Sequence, residues 1–270
     1  MPDAARDYAL AIVTSPTLAA KLVPPPADLV LADAGPPLRL AAPGRPPELA
    51  IASSREARVP PLAGMHDPAQ RARILHSLAN HELQAIELFA WALLAFPDAP
   101  APYRQGLLAI LADEQRHFAL YADRLAAHAT SFGAHPVTGH FWNKLDHLTS
   151  PLAFVCTMCL TFENANLDFA TDYATAARVA GDTATADVLE LVHADEIRHV
   201  HFGWVWLRKL APPASDPWQT YLAHVRYPLG PRRARGARFD RSARERAGLD
   251  ESFIAALEAI DPVRPSGEPR

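Results

Sequence analysis

A hexamer recurs in this chain: Ala112-Asp113-Glu114-Gln115-Arg116-His117 returns as Ala194-Asp195-Glu196-Ile197-Arg198-His199, and each copy holds a Glu-x-x-His pair. On a helix, residues three apart lie about 60° from one another, so both side chains reach one side. A further glutamate stands one hairpin upstream of each copy. Glu82 precedes Glu114 by 32 residues, and Glu163 precedes Glu196 by 33. The chain therefore reads as two duplicated helical hairpins, each supplying one glutamate and one Glu-x-x-His pair.

A helical wheel at about 100° per residue tests where these acids point. Within about 40° of Glu82 lie Leu75, Leu78, Ile86, Phe89 and Leu93. The same arc around Glu114 holds Leu107, Ile110, Phe118, Tyr121 and Leu125, and around Glu163 it holds Leu152, Cys156, Cys159, Leu167 and Ala170. Around Glu196 it holds Leu189, Val192, Val200, Gly203 and Leu207. Each glutamate is thus mid-stripe on a face that should be buried. Burying one unpaired carboxylate costs several kcal/mol, and four together repel one another. Two divalent cations relieve that cost better than protonation does. Four carboxylates and two neutral imidazoles match their charge and ligand needs, and this is the donor set of di-iron and di-manganese carboxylate bundles. One imidazole per metal in an oxygen-rich site suits iron, with manganese as the alternative, whereas zinc prefers more nitrogen or sulfur. The expected metal ligands are Glu82, Glu114, His117, Glu163, Glu196 and His199, and through the metals the same six carry any catalysis.

Four neighbouring groups need separate readings. Glu87 and Asp168 each lie five residues past a ligand glutamate, about 140° round the helix, which suits acids behind the ligands or an inter-helix network. A small rotation would let Glu87 replace Glu82. His81 and His193 read as hydrogen-bond partners near the metals rather than as ligands.

The punctuation of the chain sets its organisation. Asp67-Pro68 is a good N-cap followed by proline at the first helical position. Four long helices are expected near 67–96, 102–129, 150–180 and 183–210. Short joints at Pro97–Pro102 and Gly181-Asp182 make antiparallel neighbours, and the 20 residues 130–149 match the single crossover of ferritin-like bundles. The fold class is all-α: a ferritin-like four-helix bundle over 67–211. Residues 1–66 read as a short helix, Tyr8 to Leu22, and a proline-rich extended arm wrapped over the helical body. Residues 212–270 read as a C-terminal extension ending in an amphipathic helix near Asp250–Ile260.

Composition excludes several classes. The 270 residues are 49% hydrophobic with a net charge of −4, which supports a sizeable core and gives no global pull towards nucleic acid or anionic membrane. No run of about 18 apolar residues exists for a spanning helix. The acidic start Met1–Asp7 does not resemble a signal peptide, and two cysteines make no disulfide framework, so a cytoplasmic setting is expected. Cys156-Thr157-Met158-Cys159 lacks the βαβ surroundings of a redox motif and reads as core, with a redox role beside the metals as the second reading. Eight arginines between Arg226 and Arg246 read as a salt-bridged surface, with RNA or nucleotide phosphate as the second reading.

The quoted segments also carry a resemblance. Glu82-Leu83-Gln84-Ala85 and the two Asp-Glu-x-x-His runs resemble rubrerythrins, although the single Cys-x-x-Cys leaves no rubredoxin-like iron site. More closely, the chain is similar to the bacterial DUF455 family, a ferritin-like group of unknown function. The resemblance covers most of residues 40–250. It is carried by Gly44-Arg45-Pro46, His81 through Leu88, Asp113 through Phe118, His140-Phe141-Trp142, Glu163 with Leu167-Asp168, and Asp195 through Val200. Glu163-Asn164-Ala165-Asn166 departs from the family pattern, where an Ala-Arg-Gly run is commoner, so pocket shape differs here. The resemblance implies the fold and the metals, and it is weak for substrate. The tRNA hydroxylases of the same superfamily are the reason to name RNA at all.

Three functions follow from a metal pair. The first is an oxidase or hydroxylase using O₂ as co-substrate, an external electron donor and a small-molecule or RNA-linked substrate, with the appendages shaping the pocket. The second is iron handling as a ferroxidase or store, which does not need the long appendages. The third keeps the metals as structural staples.

Overall fold

A computed structural model describes residues 4–31, 35–53 and 55–262, and it is predominantly α-helical. The chain divides into two compact units, 1–60 with 67–145, and 61–66 with 146–270.

The first unit holds α1 (Ala5–Thr14), α2 (Leu18–Lys21), α3 (Pro68–Ala95) and α4 (Ala101–Ala127). Asp67 starts α3 by accepting the amide of Gln70 at 2.8 Å, with Pro68 where no donor is missed. From Glu82 to Ala95 every residue of α3 is buried, not only one stripe. The flanking chain explains this: α1 packs on α3 beside α4, the amide of Leu38 bonds the carbonyl of Leu94 at 2.9 Å, and the indole of Trp91 donates to the carbonyl of Leu40 at 2.9 Å. A helix covered on several sides is apolar all round. Two short strands, β1 (Ile51–Ala52) and β2 (Val137–Thr138), pair in parallel.

The expected Tyr8–Leu22 helix is broken in two. Ser15 precedes Pro16 and takes an extended ψ of 132°, because the proline ring clashes with a helical residue before it. Lys21 then turns back so that its ammonium bonds the carbonyls of Ile12 and Val13 at 2.6 and 3.2 Å, capping the end of α1.

The second unit holds α5 (Pro151–Thr157), α6 (Asn164–Val179), α7 (Thr183–Leu210), α8 (Pro217–His224), α9 (Arg241–Arg246) and α10 (Glu251–Glu258). Ser150 and Asp182 cap α5 and α7 through the amides of Ala153 and Thr185, each at 3.1 Å. Gly181, at φ +79°, makes the left-handed turn into α7. Between α5 and α6 the helix widens to a π-helical stretch, Met158–Glu163, where the Thr161 hydroxyl reaches the carbonyl of Cys156 at 2.8 Å. A uniform 100° wheel therefore does not hold across 150–180, although Cys156 and Cys159 are buried as expected. Trp204, Trp218, Tyr221 and Phe253 form one aromatic cluster joining α7, α8 and α10.

Much of the arginine-rich stretch is structural within this unit. Arg241 pairs with Glu251 and Glu258, and Arg235 lies over Phe239 while bonding the carbonyls of Glu258 and Ile260. Among the described residues no helix is long and apolar enough to cross a membrane.

Candidate metal centre

In the first unit, Glu82 reaches inward from α3, and Glu114 and His117 from α4. All three are buried, and one ligand atom from each lies within 4.8 Å of the others. His117 Nδ1 is 3.4 Å from Glu114 Oε2 and 3.8 Å from Glu82 Oε2. Burial pushes the Glu82 carboxyl well above the usual carboxylate range; the Glu114 charge and a hydrogen bond to Glu114 push it further, and His117 only partly opposes them.

The second unit repeats the arrangement. Glu163 ends the π-helical stretch, while Glu196 and His199 stand one turn apart on α7, again buried and with ligand atoms within 4.8 Å of one another. His199 Nδ1 lies 3.1 Å from Glu196 Oε2. The other oxygen, Oε1, accepts a 2.9 Å hydrogen bond from the Asn166 amide. Each triad offers two hard oxygens and one imidazole. Ligands bound to one ion at roughly 2.1 Å stand up to about twice that apart, so small side-chain rotations bring either triad onto a divalent cation. The buried Glu/His clusters can hold metal.

The neighbouring acids are differently employed. Glu87, fully buried, accepts two hydrogen bonds from Arg45 at 3.0 and 2.7 Å, one from the Trp142 indole at 2.7 Å, and lies 3.2 Å from the Lys21 ammonium. Asp168, equally buried, accepts from Arg244 at 2.8 and 2.9 Å and from the amides of Gly236 and Asp240 at 2.8 and 2.7 Å. Both carboxylates are held by fixed cations and donors. His193 pairs with Asp240 at 3.4 Å. His81 packs against His140 and Phe141, and desolvation lowers its pKa to about 4.

The sequence assigns no partner to Asn166, Arg45, Lys21 or Arg244. Asn166 had a signal, since it lies three residues past Glu163 and so on the same helix face. The basic residues lie 42 to 76 positions from their acids, and nothing local announces such pairs.

The chain matches the model of the family described as "Protein of unknown function (DUF455)" over residues 13–255. It belongs to that family. No curated protein and no solved structure matches it. The DUF455 match spans both triads and the two arginine-bound acids, so the repeated arrangement lies within the family's own extent.

Proposed function

We propose that this chain is a ferritin-like, non-haem di-metal carboxylate protein, in which α3, α4, the α5–α6 helix and α7 make the four-helix bundle. In this reading Glu82, Glu114, His117, Glu163, Glu196 and His199 hold two iron ions, with manganese as the alternative. The observation that carries it is the repetition: each hairpin buries two glutamates and one histidine with donor atoms within 4.8 Å. Elsewhere the buried acids Glu87 and Asp168 are given arginines, whereas Glu82, Glu114 and Glu196 stand beside histidines. Their negative charge calls for a cation.

The activity proposed is oxidation or hydroxylation of a small or RNA-linked substrate by O₂. When bound in reduced form, the metal pair supplies the electrons that activate O₂. The protein's own residues do the rest. Arg45 and Arg244 lock the helices that carry Glu82 and Glu163, and the apolar stripes exclude water. Glu82, Glu114 and His117 would hold one ion, and Glu163, Glu196 and His199 the other. The test is anaerobic loading with Fe(II), then exposure to air. O₂ uptake that depends on an added organic substrate supports the proposal. Fast oxidation of many irons per chain points to iron handling instead, and no O₂ uptake at all contradicts both.

A further inference from the structure

The stripe of α3 turned away from Glu82 carries a different set of groups. Arg73, His76, Ser77 and Asn80 recur at helical spacing, and Asn80 stands about 200° round the helix from Glu82. Residues 56–59, which follow β1, and 135–138, which include β2, lie against this stripe. Together they line a cleft of about 400 Å³, its mouth included.

The hydrogen-bonding roles of two buried groups here are fixed. Asn80, only 2% exposed, donates from Nδ2 to the carbonyl of Thr138 at 3.0 Å. A carbonyl can only accept, so Oδ1 is the atom on the other side of the amide. That oxygen is buried and meets no donor among the described residues. Buried acceptors in native proteins are paired, so the donor here is a ligand hydroxyl or a water. Nε2 of His76 accepts the Gly133 amide at 3.0 Å, which puts the proton of the neutral ring on Nδ1 and makes that atom a donor. Two positive charges join them. Arg58 and Arg73 both line the cleft, and Arg73 is anchored through Nη2 to the Arg58 carbonyl at 2.8 Å. Against them stands one acid, Glu56, whose Oε2 accepts from the amide and hydroxyl of Ser53 at 3.0 and 2.6 Å.

We propose that this cleft binds a small hydroxycarboxylate, with its carboxylate towards Arg58, Arg73 and His76 and its hydroxyl donating to Asn80 Oδ1. Sulfate would answer the positive charge and set an oxygen against Oδ1. A phosphate monoester, largely dianionic at neutral pH, would do the same. Water would pair with Oδ1 and leave the two arginines to solvent. A hydroxycarboxylate meets both needs at once. The site uses none of the metal triads and stands independently of the di-metal reading.

The test is a ¹H–¹⁵N NMR titration of the full-length chain at neutral pH with glycolate, acetate and sulfate, following the Asn80 side-chain amide and the Gly133 backbone amide. Glycolate is expected to shift both signals and to bind roughly tenfold tighter than acetate, as one added hydrogen bond implies. Arg73→Gln should weaken both carboxylates roughly tenfold, the loss of one charged partner. Asn80→Ser should abolish the preference for glycolate over acetate. Melting of the ligand-free variants reports damage to the fold separately, and the exposed Arg73 keeps the test open if Asn80→Ser does not fold. Acetate or sulfate binding as tightly as glycolate overturns the proposal. So does unaltered glycolate affinity in Arg73→Gln, or no shift of either amide with any of the three, which would leave Oδ1 to water.

Discussion

Arg244 grips Asp168 with two nitrogens, Nη1 at 2.8 Å from Oδ1 and Nη2 at 2.9 Å from Oδ2, and neither side chain is exposed to solvent. Arg45 grips Glu87 in the same two-pronged way at 3.0 and 2.7 Å. Each acid stands five residues past a triad glutamate, and each arginine comes from the chain that flanks its hairpin. The duplication therefore extends beyond the triads to the means by which each appendage is fastened.

Arg244→Met should lower stability by about 3–5 kcal/mol, because it strands a buried carboxylate. Asp168→Leu combined with Arg244→Met should remain destabilised, since the amides of Gly236 and Asp240 then lose their acceptor. Denaturant melts of the two variants check this. A double variant as stable as the wild type would show that the pair is dispensable.

Gly203→Ala should be destabilising by about 1–3 kcal/mol, although alanine is the better helix former by about 1 kcal/mol. The added methyl would sit 2.4 Å from Cys159 Cβ, an atom fixed to backbone. Cys159→Ala keeps that atom and should give no relief, whereas Cys159→Gly should. Thermal melting of the three combinations decides it.

Acid should weaken the fold through His76, whose pKa burial lowers from 6.5 to about 4. Around it stand Phe132, His135 and the amide of Gly133, which donates to Nε2 at 3.0 Å. Above pH 6.5 the ring is neutral in both states. Between 6.5 and 4 the unfolded chain takes up a proton that the folded one resists, so stability falls by up to about 3 kcal/mol and then levels. His76→Gln should flatten that part of the stability–pH curve.

Cys156 and Cys159 are free, fully buried thiols whose pKa values burial raises. A chromogenic disulfide reagent should find no reactive thiol in the native protein and two in denaturant. Prompt native reaction would favour the redox reading of the pair.

The helix cap at Asp67 and the burial of the four glutamates were legible because local rules govern them. Pro16 broke a helix that hydrophobic spacing alone made continuous. The wide turn at Met158–Glu163 left no periodic trace, because residues on both sides of that segment are apolar and buried. Arg45 and Arg244 were invisible as partners for a different reason: a long-range ion pair is written in the fold, not in the spacing. The acids they bind were visible, and 140° of helical rotation already separated them from the triads.

The most direct measurement is the metal content of the full-length chain after anaerobic reconstitution with Fe(II) and removal of loosely held ions. The account predicts two ions per chain, falling to one in Glu114→Gln with His117→Ala and to one in Glu196→Gln with His199→Ala. A wild-type chain that retains no stoichiometric metal, with its glutamates neutralised by protons alone, would contradict it.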